Sequence, residues 1–527
     1  MAARPISLLL VAFACLTLAP RLALAQQPPT GWTLTVLTPD SGTQGARRPS
    51  LSADGQRLAF TSDADLAPGA PGNSDGNAEV FLWDATTGFR QITNTSRAGG
   101  GFPSQSKATI SANGQRIAFL SNADLGGGNA DRSIEVFLWD ATTGFTQLTD
   151  NPSGSAAEGA DLSADGATVA FWQAGVVTGE NPDGGLELFL RSVGGPLRQL
   201  TQLTGRPYHS EPAISADGQA VAFVLAADIT GGNGDAGWEL FRWQGPATTP
   251  GDPARFTQLT DNHAPMVGHE LYTPTISGDG RQVAFAGKGH VTVSEPASHT
   301  NSEIYLWEEA TAISRLTNDP GRQPSYAPRF SQDGSHIAFV TNAKWAGLNP
   351  DETPELFVWT PERCGMPNLR PVTASTNRPN VSSLTADIVP AINADGTVTG
   401  FIAERADNPN PLVLTRRGLL VRAVEDVPSP CAGAATPTAT PDTQPSPSPV
   451  PTPSTGPRVC PQVIGRVPPA VLADALAQPD RVQGWGQPAN PGRPPGPDNP
   501  LRTWLTLLDL GKPYGPANGV LWRAGCP

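Results

Sequence analysis

Seven times the chain returns to one phrase: a small polar residue, a spacer, Asp-Gly or Asn-Gly, then an apolar run closing on Phe. The copies are SADGQRLAF from Ser52, SANGQRIAF from Ser111, SADGATVAF from Ser163 and SADGQAVAF from Ser215. SGDGRQVAF from Ser277, SQDGSHIAF from Ser331 and a degraded NADGTVTGF from Asn393 complete the set. The Asp/Asn positions (54, 113, 165, 217, 279, 333, 395) lie 52 to 62 residues apart. That period is far too long for a coiled coil and suits one supersecondary unit per repeat.

Each repeat reads as four strands. In the second, residues 108–111 form a short strand and Ala112-Asn113-Gly114 a hairpin turn. Residues 115–120 make the next strand, Glu135-Val136-Phe137-Leu138-Trp139 a third, and residues 145–149 a fourth. The closing phrase recurs as RQIT (Arg90), RQLT (Arg198), TQLT (Thr257) and SRLT (Ser314). Four antiparallel strands repeated about an axis describe an all-β propeller; β-solenoid units are far shorter. Residues 32–38 look like an orphan fourth strand that closes the ring by completing the last blade. Residues 419–424 compete for that role, so seven blades is preferred and six is the alternative.

These phrases resemble the TolB-type propeller repeat, a relative of the WD repeat, which runs P-x-h-S-x-D-G-x-x-h-A-F, then E-h-Y/F, then x-x-L-T. The match is close at residues 212–223, at Glu239-Leu240-Phe241 and at Gln258-Leu259-Thr260, and the resemblance covers roughly residues 47–420. It implies a fold, not an activity, because this blade serves many exported proteins. TolB's additional α/β domain has no counterpart here, so its envelope role is not carried over.

Around the repeats, Arg4, the apolar residues 6–19 and Ala23-Leu24-Ala25 read as a secretory signal peptide, residues 1–25. The chain is then expected to be secreted, periplasmic or at the cell surface, with no transmembrane segment once mature. Loss of Arg4 and Arg21 with the leader takes the formal charge from −13 to −15, a field that disfavours nucleic acid and favours cations. The propeller is assigned to residues 26–426, a Pro/Thr/Ser-rich spacer to 427–457, and a small module to 458–527. Cys364, Cys431, Cys460 and Cys526 remain after Cys15 leaves. Their even number suggests two disulfides with three possible pairings; the local one joins 364 to 431 and 460 to 526, stapling the C-terminal module.

The Asp-Gly hairpins are short and alike. The loops at the opposite end are long and varied, where binding usually resides. Two sets of candidates lie there. Tyr208, His209, His263, His269, Tyr272 and Tyr326 can ring the axial opening and stack on a peptide or sugar. A second repeat, N-x-D-x-x-x-E, occurs at Asn73/Asp75/Glu79, Asn129/Asp131/Glu135 and Asn181/Asp183/Glu187, and again at Asn233/Asp235/Glu239 and Asn349/Asp351/Glu355. Its oxygens suit calcium. Self-capped turns are the preferred reading, since Asn and Asp bond their own backbone and Gly at the middle position weakens a cage. Trp83, Trp139, Trp243, Trp307 and Trp359 recur at one place in the third strand and read as filling between blades.

Enzyme signatures fail. Residues 72–76 match G-x-S-x-G formally, but in a polar loop without an α/β domain, and no catalytic residues are assigned. The expectation is therefore a monomeric, non-enzymatic binding or scaffold propeller facing a protein, peptide or glycan, with no cofactor unless calcium. The alternatives are a metal-dependent hydrolase or lyase using the axial pocket, and a calcium-dependent interaction protein. Paired acids with a base converging on the channel mark the enzyme; scattered, self-satisfied carboxylates mark the binder.

Overall fold

In a computed structural model, the described residues are 31–426 apart from fourteen loop stretches and one turn residue between strands, together with residues 462–463 and 522–523. They form seven four-stranded antiparallel sheets, one per repeat. Blade 1 comprises Arg47–Leu51, Arg57–Ser62, Glu79–Asp84 and Gly88–Gln91, and blades 2 to 6 repeat the order. Blade 7 takes Ala391–Ile392, Val398–Ala406 and Arg416–Glu425 from the C-terminal end of the ring, and Trp32–Val36 from its beginning. The N-terminal strand thus closes the ring as expected. Residues 419–424 belong to the third strand of that blade, not the fourth, which settles seven blades.

The repeated phrase has a local cause. In SADG the Ser52 hydroxyl donates to Asp54 Oδ1 at 2.6 Å and accepts from Arg57 N at 3.0 Å, while Asp54 Oδ1 accepts from Gln56 N at 3.0 Å. The turn is capped by its own side chains, and Gly55 takes the left-handed φ of 67° that it requires. These turns also bond to one another. Ala53 N donates to Ala112 O, Ala112 N to Ala164 O, Ala164 N to Ala216 O and Ala216 N to Gly278 O. Gly278 N then donates to Gln332 O, Asp333 N to Ala394 O, and Ala394 N back to Ala53 O. A closed circle of main-chain bonds ties all seven hairpins. A side chain at Gly278 would place its Cβ 2.3 Å from Gln332 O, so this copy needs glycine.

Between blades the core consists of paired Phe rings and aliphatic side chains from facing sheets, such as Phe171 and Phe189 with Leu138 and Leu148. The recurring tryptophans face the neighbouring blade. Arg90 lies over Trp139, Arg242 over Trp307 and Arg422 over Trp83, at 5.0 to 5.8 Å, each cation coming from the preceding blade.

The chain divides into two compact units, Met1–Thr436 and Pro437–Pro527. Of the second, the described residues are the paired Gln462–Val463 and Trp522–Arg523. The leader, the spacer and all five cysteines lie outside the described residues. No helix among the described residues is long and apolar enough to cross a membrane.

Candidate functional site

The first strand of every blade lines the axis, and one of its edges faces the channel. An N–H on that edge has no ladder partner. Five repeats answer this with proline, which carries no N–H: Pro49, Pro212, Pro274, Pro328 and Pro390. The residue after this position points into the channel. Read around the ring it is Ser50, Thr109, Asp161, Ala213, Thr275, Arg329 and Ala391, and all seven line one axial cavity of about 150 Å³. Three of them staple adjacent blades by accepting a main-chain N–H: Ser50 from Ile110, Asp161 from Ile214 and Thr275 from Phe330, at 3.1 to 3.2 Å.

Charges gather in this channel from blades far apart in sequence. Arg48 of blade 1 reaches Glu211 of blade 4 at 2.5 Å. Those blades stand three apart in a ring of seven, so the pair crosses the axis. Arg48 sits at the bulge of its strand with φ 47°, in the left-handed region, and the bulge re-aims the side chain inward. Lys107 pairs with Asp161 at 2.8 Å, and Thr109 adds a hydroxyl to the same carboxylate at 3.3 Å. Arg329 differs. Among the described residues it makes one long hydrogen bond, from Nη1 to Pro328 O at 3.4 Å, and no ion pair. Burial lowers its pKa, against the pull of Asp161 and Glu211. Burial pushes Glu211 up, but Arg48, Lys107 and Arg329 outweigh it and hold that carboxyl below its ordinary range. Three cations face two carboxylates, a local excess opposite in sign to the whole chain.

The six rim candidates separate. Tyr208 is the exposed aromatic ring among the described residues, 43% accessible, and lies flat on Trp238 with centroids 3.7 Å apart. His209 packs on the buried Trp172 at 4.9 Å and stands 3.4 Å from Glu158, which also pairs with Arg206. The His209 contact is the main cause holding Glu158 below the usual carboxylate range. Tyr326 packs against the cores on both sides of blade 6. Tyr272 has its backbone paired with Ala286; its side chain, with His263 and His269, lies outside the described residues.

The N-x-D-x-x-x-E repeat is built into the blade edges. Asn73, Asn129, Asn181, Asn233 and Asn349 each donate Nδ2 to the carbonyl four residues on. Asp131, Asp183 and Asp235 each accept the N–H two residues on, whereas Asp75 sits exposed in its turn. The Glu opening strand three is buried in six blades and accepts the hydroxyl of the Thr ending the x-x-L-T phrase: Glu79 from Thr93, Glu135 from Thr149, Glu187 from Thr201, Glu239 from Thr260, Glu303 from Thr317 and Glu355 from Thr373. Among the described residues no three His, Cys, Asp or Glu side chains gather as a metal centre.

Glu303 shows what such burial costs. Desolvation is the largest influence on it and raises its pKa, although Thr317, Asp319 N and Asn301 Nδ2 all bond it. A carboxyl that holds its proton longer folded than unfolded stabilises the fold below the unfolded pKa, and that contribution is lost as pH rises through the folded value. Urea unfolding of wild type and Glu303→Gln at pH 4.5, 6 and 7.5 should show wild type losing ground to the variant as pH rises. A difference independent of pH would refute this.

No protein-family model and no curated protein sequence matches the chain. Solved propellers do. An oligogalacturonate lyase in complex with manganese aligns at TM-score 0.49 and 15% identity, over 76% of this chain and 95% of that one. TolB from Acinetobacter baumannii aligns at 0.36 and 13%, over 75% and 80%, and puromycin hydrolase at 0.42 and 15%, over 70% and 51%. TolB propellers are thus among the matching structures, in keeping with the repeat resemblance. At these identities the likeness is one of architecture. The expectation of a non-enzymatic scaffold is corrected: enzymes stand among the matching propellers beside TolB, so the fold lends that reading no support. Of the two marks set out above, the structure carries both: acids and bases pair in the channel, and the N-x-D-x-x-x-E carboxylates are satisfied within their own blades.

Proposed function

We propose that the protein takes a small carboxylate-bearing molecule into its axial pocket and acts on it there by proton transfer. The observation that carries the reading is Arg329, a guanidinium that lines the cavity and forms no ion pair with any described carboxylate. An anion entering the pocket supplies that partner, and the low-dielectric walls strengthen the pair beyond its worth in water. A cavity of about 150 Å³ accepts an acid of a few heavy atoms or the acidic end of a longer molecule. Lys107 and Asp161, 2.8 Å apart beside it, are the groups able to move a proton on the bound acid. Net charge pointed toward cationic ligands; the local field governs instead, because screening confines surface charge to about 10 Å. Export through the leader at residues 1–25 belongs to the same reading.

Titration calorimetry with acetate, pyruvate, succinate and benzoate tests it, with chromatography of each acid after incubation. At least one acid should bind and be converted. Arg329→Gln should weaken binding about 10- to 100-fold, the worth of a charge-assisted bond of roughly 1.5–3 kcal/mol, while Arg198→Gln, on an exposed strand, should not. Failure of every acid to bind, or equal binding by Arg329→Gln, overturns the pocket assignment; a bound acid recovered intact overturns the chemistry.

A further inference from the structure

The charges of the channel stand in two tiers. Two residues before the Ser of S-x-D-G, the chain carries Asp161 in blade 3 and Arg329 in blade 6. Four residues before it, the chain carries Arg48 in blade 1, Lys107 in blade 2, Gly159 in blade 3 and Glu211 in blade 4. The first strand of each blade runs from the loop face to the hairpin. The second tier therefore lies nearer the loops, roughly 6–7 Å from the first by the rise of two strand residues. Contacts show that it too reaches the axis: Glu211 lines the cavity, Arg48 meets it across the ring, and Lys107 extends to Asp161 in the other tier.

The tier near the loops is shaped around Glu211. Gly159, on the neighbouring blade, has a φ of 50° in the left-handed region. A Cβ there would stand 3.0 Å from Glu211 Cγ and 3.2 Å from its Cα, so glycine leaves the glutamate its place. The described charges lining or crossing the channel are three cations and two carboxylates. Arg48, Lys107 and Arg329 all act on Glu211 and keep it ionised, while Asp161 and Glu211 favour the charged form of Arg329. The five behave as one group with a single positive charge in excess. One negative charge cancels that excess. A second meets no spare cation, because Glu211 holds Arg48 and Asp161 holds Lys107. At short range and low effective dielectric, either acid repels it.

We propose that the pocket selects acids with one negative charge over acids with two, and that Glu211 sets this selection. The selection rests on the cavity being a carboxylate site, as proposed above. An acid paired with Arg329 points its other end away from the circle of hairpins and toward the level of Glu211. There it meets a fixed anion whose partner cation is already neutralised. The far end of the substrate is therefore uncharged: a methyl, hydroxyl, keto or amide group rather than a second carboxylate. Arg48 serves in this as a positioning residue, since it holds the Glu211 carboxylate out over the axis.

Succinate and its monoamide, succinamate, have nearly the same shape and differ by one charge. Calorimetry of the full chain near neutral pH should give succinamate an affinity about 10- to 100-fold above that of succinate. Glu211→Gln keeps the size of the side chain and raises the local excess by one charge. It should strengthen both compounds and succinate more, narrowing the ratio about tenfold. Equal affinities in the wild type, with Arg329→Gln weakening both, overturn the selection and leave the pocket standing. A ratio unchanged in a Glu211→Gln protein that melts with the wild type overturns the role of Glu211. The wild-type ratio is a test by itself where the variant does not fold. If no acid binds, the carboxylate site fails and the selection with it.

Discussion

Removal of residues 26–38 is expected to abolish the native ring at 37 °C, leaving a chain that self-associates. Trp32–Val36 supplies the fourth strand of blade 7, paired over five residues with Val421–Glu425. Among the described residues it is the one place where the two ends of the ring are joined within a sheet. Trp32 is 6% accessible and packs with Val340, Leu356 and Val358 of blade 6, beneath the Arg370 guanidinium. Just beyond it, Leu37 N donates to Leu420 O, and Leu420 N donates to Thr38 Oγ1. Deletion strips a sheet edge, and an unpaired edge is a template for another chain. Trp32→Ala alone should cost about 3–5 kcal/mol, as for other buried aromatic truncations, a large share of a typical stability of about 5–15 kcal/mol. Near-ultraviolet dichroism, gel filtration and thermal melting report the result. A truncated chain that is monomeric and melts with the wild type would show that the hairpin circle holds the ring shut by itself.

Glu135→Ala should destabilise the protein by about 3–5 kcal/mol, an unusual loss for one carboxylate. Glu135 is fully buried and accepts from Thr149 Oγ1, from Asn151 N at 2.7 Å and from Ser133 Oγ at 2.5 Å. Alanine leaves those donors unpaired in the interior, at about 1–3 kcal/mol each and not additively. Glu135→Gln keeps one acceptor and should lose only about 1–2 kcal/mol. Urea midpoints of the two variants against wild type decide it, and equal midpoints for alanine and wild type would refute the stapling role. The same contact explains why the E-h-F and x-x-L-T phrases recur together: Thr149 Oγ1 accepts from Val136 N at 2.9 Å while donating to Glu135, locking strand four onto strand three.

Much of the architecture was readable in these phrases because each one is a self-sufficient local device. Ser52 and Asp54 cap their own turn whatever surrounds them, and a Trp at Trp139 or Trp307 always meets the blade beside it. The channel was not readable in that way. Arg48, Lys107, Asp161, Glu211 and Arg329 occur once each, in repeats that otherwise agree, and attention to what recurs passes over them. The signal was there: the residue after Pro in P-x-h-S faces the axis in every copy, so its departures from small or polar, Asp161 and Arg329, mark the pocket. The rim readings fared differently for a related reason. Tyr208 does form an exposed stack, yet His209 is drawn onto Trp172 and Tyr326 into the inter-blade core, because loop residues next to strand one are shared between packing and surface.

Local chemistry in the chain was enough to specify alike four-stranded sheets and their turns, since each rests on bonds between residues close in sequence or on a pattern repeated in every unit. The count of seven, the pairing of Trp32–Val36 with Val421–Glu425 and which charges meet were settled only by closure of the ring. Arg48 and Glu211 are 163 residues apart and bond only because blades 1 and 4 face each other across a common axis, and long-range geometry of that kind is written in no single repeat.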